Sequence, residues 1–299
     1  MEVGGSEALP LIVVLDWDGT IAGRVDFQSQ RFAMHQHYKK FGLKTKMDSK
    51  IPKAFMPDSL LIRPGFARFM NDLSDFYKGN IYFFIYTASE RTWAYKEIQW
   101  VEKAHEIKFQ RPLFTRDDCT TDSSGSYRKS IQHIFPRILR SIGKGHLSRT
   151  QKEDILKNRL LIIDNNAVYS DTQDHLLLCP HYNYMVFENL LDEIPAGLMK
   201  HPHIVQYVYN LVNLGLVCPF YGGKLDVNQQ LYKKYEWLAL KCKHITEENK
   251  AYSKDVFFKY LKKLIMQNGL KVFTPNVVKQ LQQAVWKKAQ EPVRPNSAP

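Results

Sequence analysis

The sequence predicts an α/β fold, a doubly wound parallel sheet with helices on both faces and a basic helical C-terminal extension, on three observations. Two apolar runs, LIVVL at 11–15 and LLII at 160–163, each end in a carboxylate; amphipathic patterns lie between them; and from about residue 205 the pattern is helical and rich in lysine. Short β-branched runs closed by polar residues mark strands buried on both faces. Strands alternating with helices imply a parallel sheet with its functional residues at the carboxyl ends of the strands.

Taken in order, residues 1–10 read as a flexible start, and LIVVL as a buried strand that delivers DWDGT, 16–20, to its carboxyl edge. Gly19 permits a sharp exit there. Residues 22–57 are mixed and polar, with a weak helical pattern around Phe32 to Phe41, and read as an insertion over the site. In RPGFARFMNDLSDFY, Pro64 opens a helix with Phe66, Phe69, Met70, Leu73 and Phe76 at spacings of three and four. IYFFIYTAS, 81–89, is aromatic and β-branched, a strand ending in small hydroxyl residues. A helix through Trp93 to His105, a short strand near PLF and a Gly/Ser loop, DCTTDSSGS, follow. Residues 131–158 read as a second insertion, helical with a break at GKGH, before the strand RLLIIDNN at 159–166. The expected division is an α/β domain over 11–204, a basic helical region over 205–288 and a disordered proline-rich tail over 289–299.

The chain's 299 residues, 44% hydrophobic and 13% aromatic, suffice for a full core. No apolar run is long enough to span a bilayer, and MEVGGSEALP lacks the basic and apolar regions of a secretory signal, so a soluble intracellular protein without membrane partners is expected. Four cysteines without CxxC spacing read as free thiols. From residue 200 on, sixteen Lys and Arg face six Asp and Glu, so this third carries +10 of the +12 net charge. Such a region attracts phosphate backbones or acidic proteins, although a solvated lysine-rich helical face is the commoner reading.

The residues that carry chemistry start with Asp16 and Asp18. Two carboxylates at i and i+2 beyond a buried strand repel each other unless a cation or a proton lies between them. Mg²⁺ answers that conflict, since it takes one or two carboxylates with waters and substrate phosphate oxygens; Asp164 or Asn165 would complete its site. Asp16 could then attack phosphorus, with Asp18 protonating the leaving oxygen and later activating water. The plainer alternative is a pair of loop aspartates capping a helix. Cys179, His181, His201, His203 and Cys218 have zinc-ligand chemistry but no compact knuckle spacing. Arg63 and Arg91 flank the site strands as candidate phosphate contacts or carboxylate partners.

DWDGT resembles the first motif of the haloacid dehalogenase (HAD) superfamily, DxDxT. Thr87 and DNN, 164–166, resemble its second and fourth motifs. RPG at 63–65, YTAS at 86–89, LFTRDDC at 113–119, GSYRKS at 125–130 and LLIIDNN at 160–166 are similar to the FCP/SCP branch, protein phosphatases known for acting on the RNA polymerase II C-terminal domain. The resemblance covers about residues 11 to 200 and implies a HAD-like sheet with no large cap domain. It also implies Mg²⁺ held by Asp16, Asp18 (through its backbone carbonyl), Asp164 and Asn165; catalysis by Asp16, Asp18, Thr87 and Lys129; and phosphate contacts from Thr87, Ala88, Lys129 and Arg91. Lys144 and Lys152 are the alternatives to Lys129 as the motif-three lysine. The branch usually reads DLDET where this chain has Trp17 and Gly19, a form commoner in metabolite phosphatases. The stretch after Lys129 adds Arg137, Arg140, Lys144, Arg149 and Lys152 as a basic rim or a solvated hairpin. The lysine-rich layout also resembles divergent members encoded by large DNA viruses.

Three functions follow as expectations: a phosphatase acting on phosphoserine or phosphothreonine proteins, a phosphatase of small molecules or nucleic-acid ends, and a non-catalytic scaffold. Phosphorylated protein is the expected partner, and nucleic acid or a nucleic-acid-associated protein is a second, through the basic C-terminal third. Turnover of phosphopeptides against free phosphometabolites separates the first two. The intact set of Asp16, Asp18, Thr87, Lys129 and Asp164 argues against the third.

Overall fold

The structure, a computed structural model, describes residues 8–40, 42, 50–186, 240 and 249–290. It divides into two compact units. One comprises 1–22, 62–182 and 255–299; the other comprises 23–61 and 183–254. The expected boundary at 204, the helix pattern at 231–245 apart from residue 240, and the tail from 291 lie outside the described residues.

The first unit is built on a four-stranded sheet. Strand β1, Leu11–Leu15, pairs in parallel with β2, Ile81–Ile85, on one side and with β5, Leu160–Asp164, on the other. Beyond β5, in parallel, lies β6, Leu176–Leu178, giving the order β2-β1-β5-β6. All five residues of β1 and of β5 are buried, as the apolar runs LIVVL and LLII require, with Asp164 closing β5. Because side chains alternate along a strand, Ile12, Val14, Phe84, Leu160 and Ile162 face one way. They share a core with α4, Ile131–Ser141, through Ile131, Ile134, Phe135 and Ile138, and with α5, Arg149–Asn158, through Ile155. Ser130 and Ser148 cap these two helices by accepting from the N–H of His133 and Gln151. On the other face Phe83 meets Phe69 of α2, Phe66–Phe76, ring centroids 6.1 Å apart. Helices therefore cover both faces of a parallel α/β sheet.

Local differences from the sequence reading have identifiable causes. The strand expected through Ser89 stops at Ile85; Tyr86 still donates its N–H to Leu15 O at 2.9 Å and makes an isolated bridge to Phe114, which is all that forms of the strand near PLF. The Gly/Ser stretch is not simply a loop. Thr120–Thr121 (β3) and Tyr127–Arg128 (β4) pair antiparallel, and Asp122 holds their turn by accepting from the N–H groups of Ser124 and Ser126. Helix α3, Arg91–His105, starts two residues early, because Glu90 caps it by accepting from Thr92 and Trp93.

Two C-terminal helices also belong to this unit: α6, Phe257–Gln267, and α7, Pro275–Gln290. Phe258 of α6 packs on Phe66 and Phe69 of α2 at 4.9 and 5.1 Å. Gln282 of α7 donates to Leu178 O and accepts from Leu178 N, so its side-chain amide satisfies the free edge of β6 as a neighbouring strand would.

The second unit contains α1, Asp26–Lys40, which buries Phe27, Phe32, Met34 and Tyr38. Its chain crossings are Gly23 N–H to Leu61 O and Arg24 N–H to Tyr184 O, each 2.7 Å. Among the described residues no helix is long and apolar enough to cross a membrane.

Candidate active site

At the carboxyl end of β1, Asp16 emerges between its two neighbouring strands, its own N–H bound to Ile163 O. Lys129, just after β4, reaches it: Nζ donates to Asp16 Oδ1 at 2.6 Å and to Asp164 Oδ2 at 2.8 Å. All three groups are buried. Burial alone would lower the Lys129 pKa, but the neighbouring Asp16, Tyr169 and Asp164 outweigh it and hold the ammonium well above its ordinary value. The rings of Tyr86 and Tyr169 flank Nζ at 5.8 and 5.6 Å. Asp164 is pushed up by its own burial and by the charge of Asp16. Its Oδ1 accepts the Asn166 N–H, so both of its oxygens are engaged.

Thr20 closes the other side of Asp16, donating to Oδ2 at 3.1 Å and accepting the Asn165 N–H at 3.0 Å. Gly19 makes this turn possible. Its φ is +76°, and a Cβ would lie 2.5 Å from the His181 ring and 2.8 Å from the Asn165 amide.

Asp18 faces elsewhere. Its Oδ2 accepts from Ser89 Oγ at 2.7 Å and from Thr87 Oγ1 at 3.1 Å, and Thr87 Oγ1 in turn accepts the Ser89 N–H. Desolvation first, then the charge of Asp16, raises the Asp18 carboxyl above the ordinary aspartate value. The two aspartates of one loop thus occupy different surroundings: one faces an ammonium, the other two hydroxyls.

The donor set fits a hard cation. The atom of the Asn165 side-chain amide that faces the loop lies 3.1 Å from each of Asp16 Oδ2, the Asp18 carbonyl and Thr20 Oγ1. With nitrogen there, the amide donates to these oxygens. With oxygen there, a carboxylate, a carbonyl and an amide oxygen converge, an arrangement that repels itself until a cation such as Mg²⁺ joins it. Among the described residues no cluster of three or more His, Cys, Asp and Glu has metal-binding form. The donors here are of mixed type, with Asp164 turned to Lys129 instead.

Next to Trp17 lies a further buried carboxyl. Glu97 of α3 is wholly buried with neither oxygen hydrogen-bonded, and the equally buried Trp17 Nε1 faces it without completing a bond. Burial, then the charge of Asp18, raises Glu97 well above its ordinary value.

Of the residues singled out in the sequence, Asp16, Asp18, Thr87, Lys129, Asp164 and Asn165 converge at one edge of the sheet. Arg91 is half-exposed and pairs with Asp117 at 3.5 Å. Ala88 contributes its carbonyl, which accepts from Arg116 Nε at 2.8 Å. Lys152 donates to Gly145 O, Arg137 pairs with Asp118 and Arg149 with Glu153, so these members of the basic stretch are engaged locally. Of the zinc-type residues, Cys179 is buried beside Thr20 and His181 is exposed against Asn165; His201, His203 and Cys218 lie outside the described residues. Cys119 and Cys179 are free thiols. Sequence reasoning missed Thr20, Ser89 and Arg116, although all three stand inside the motifs DWDGT, YTAS and LFTRDDC.

No curated protein matches the chain. Two solved structures align with 97% of it at 14% identity, covering 76% of their own chains: Fcp1, an essential RNA polymerase II CTD phosphatase, with a TM-score of 0.32, and a variant of the fission yeast enzyme bound to beryllium fluoride, with 0.33. The profile of NLI interacting factor-like phosphatases matches residues 11–200, the span that carries the sheet and the site. With about two thirds of its length so matched, the chain belongs to the NLI interacting factor-like phosphatase family.

Proposed function

We propose that the chain is a Mg²⁺-dependent phosphatase that works through a phosphoaspartate on Asp16 and acts on phosphoserine or phosphothreonine in proteins. The observation that carries this reading is the unlike treatment of Asp16 and Asp18: Asp16 accepts from the Lys129 ammonium at 2.6 Å, while burial favours the protonated form of Asp18, whose Oδ2 meets only hydroxyls. Asp16 attacks phosphorus as the bond to the leaving oxygen breaks, and Asp18 passes its proton to that oxygen. Water then attacks the phosphoaspartate, Asp18 takes its proton, and phosphate leaves with Asp16 restored. Lys129 offsets negative charge on the transferring group. Thr87 and Ser89, which here donate to Asp18, lie where phosphate oxygens would replace that carboxyl as acceptor. Asp16, the Asp18 carbonyl and Asn165 would hold Mg²⁺, which would supply positive charge to the phosphate oxygens.

Release of phosphate from an aryl phosphate and a phosphopeptide panel, with and without Mg²⁺, tests the reading against Asp16→Asn. Turnover that needs both Mg²⁺ and Asp16, and favours phosphopeptides, is expected. A second reading, hydrolysis of phosphorylated nucleic-acid ends, draws support from the exposed Lys259, Lys263, Lys271, Lys279 and Lys287 on and between α6 and α7. Oligonucleotides with 3′ or 5′ phosphates in the same assay decide between the two.

A further inference from the structure

Arg63 is a heavily engaged side chain outside the catalytic group, and catalysis as proposed does not use it. Its side chain is 1% exposed. Nε and Nη2 grip Asp255 in a two-pronged pair at 3.0 and 2.8 Å. Nη1 donates to Pro180 O at 3.0 Å and, more weakly, to Thr20 O at 3.4 Å. The guanidinium also lies 4.5 Å from the Phe257 ring centroid and 5.3 Å from that of Tyr182.

These contacts join three separate segments. Thr20 belongs to the catalytic loop and bonds Asp16 with its own hydroxyl; Arg63 N–H also holds Ile21 O at 2.8 Å. Pro180 lies beyond β6, where Tyr182 N–H returns to Gly19 O at 2.8 Å. Asp255 starts the C-terminal helices, and its Oδ1 accepts the Phe257 N–H at the first turn of α6. Residue 255 lies outside the span 11–200 matched by the family profile, whereas Arg63 lies inside it. In this chain, therefore, a fully buried cation inside the matched span is paired with a carboxylate outside it. A buried charge without a partner is costly, so the loop keeps this arrangement only while Asp255 is in place.

We propose that Asp255, at the start of α6, holds Arg63 as a positioning residue that fixes the Asp16–Ala22 loop through the carbonyls of Thr20 and Pro180. The effect on turnover rests on the phosphatase reading given above, while the effect on the loop does not.

The test compares the wild type with Asp255→Asn, with Arg63→Met/Asp255→Leu, and with Lys262→Met. The double variant replaces the pair by apolar groups and decides the matter where the single one does not fold. Lys262→Met removes an ion pair to Asp72 that ties α6 to α2 without reaching the loop. Two readouts are taken, steady-state phosphate release and amide exchange at Thr20, Ile21 and Ala22. Expected are a kcat about tenfold lower with KM nearly unchanged, and faster exchange at those amides, in the first two variants but not in Lys262→Met. Folded variants with wild-type kcat and wild-type exchange would overturn the proposal, as would equal losses in Lys262→Met. If the wild type releases no phosphate, the phosphatase reading fails, and the exchange data alone decide whether the Asp255–Arg63 pair holds the loop.

Discussion

Asp16 and Asp164 share one buried ammonium within 2.8 Å, whereas Glu97, buried as deeply beside Trp17 of the same loop, has no cation and no completed hydrogen bond. A buried carboxylate must be paired or must take up a proton. The first arrangement gives two carboxyl groups a common cation in a dry site; the second is stable only as a neutral acid. The difference separates charge that serves chemistry from charge that folding removes, and it can be broken at either end.

The largest effect is expected from Lys129→Met. Without the ammonium, Asp16 and Asp164 repel each other and the transferring phosphoryl loses a counter-charge, so turnover should fall by about 10³ or more. A kcat within tenfold of the wild type would refute the role given to Lys129. Asp18→Asn should slow hydrolysis of phosphoserine peptides by about 10²–10³, and less for a nitrophenyl phosphate, whose leaving group needs no proton. Equal losses on both substrates would remove Asp18 from the acid role.

Glu97→Gln sharpens the other end. Glu97 has a folded pKa raised above its ordinary 4.5, so the folded state keeps a proton that the unfolded chain gives up. Its stabilising contribution is full below that pH and declines as pH rises towards the folded pKa, by about 1.4 kcal/mol per pH unit. Thermal denaturation over a pH series should show this slope in the wild type and its loss in Glu97→Gln. Parallel curves would contradict a neutral Glu97. The smallest effect belongs to Tyr169→Phe, which removes a buried hydroxyl that makes no hydrogen bond but keeps the ring beside Lys129. Its Tm should stay level or rise, within about 1 kcal/mol of the wild type; a larger fall would show that the hydroxyl is satisfied in solution.

Legibility in the sequence followed the range of the interactions. β1 and β5 were readable because strands buried on both faces must be apolar throughout, and Asp16, Asp18 and Asp164 because carboxylates directly after such strands have few structural uses. The hairpin at Thr120–Arg128 was missed because two-residue strands held by Asp122 have the composition of a loop. Arg91 was readable as a cation beside a site strand, but not its turn towards Asp117. Glu97 was hidden because one acid in a helix reads as a solvent-facing residue; only its neighbours Ala94, Ile98 and Val101, all buried, betray the face it occupies. The Arg63–Asp255 pair spans 192 positions, and no local pattern encodes a contact of that range.

The central claim is that Asp16 itself carries the phosphoryl group. Rapid quenching of a phosphopeptide reaction with borohydride, followed by peptide mass analysis, should find residue 16 reduced to homoserine in the wild type and unmodified in the absence of substrate. Substrate turnover with Asp16 unmodified at every quench time, or trapping at Asp18 or Asp164 instead, would contradict the account.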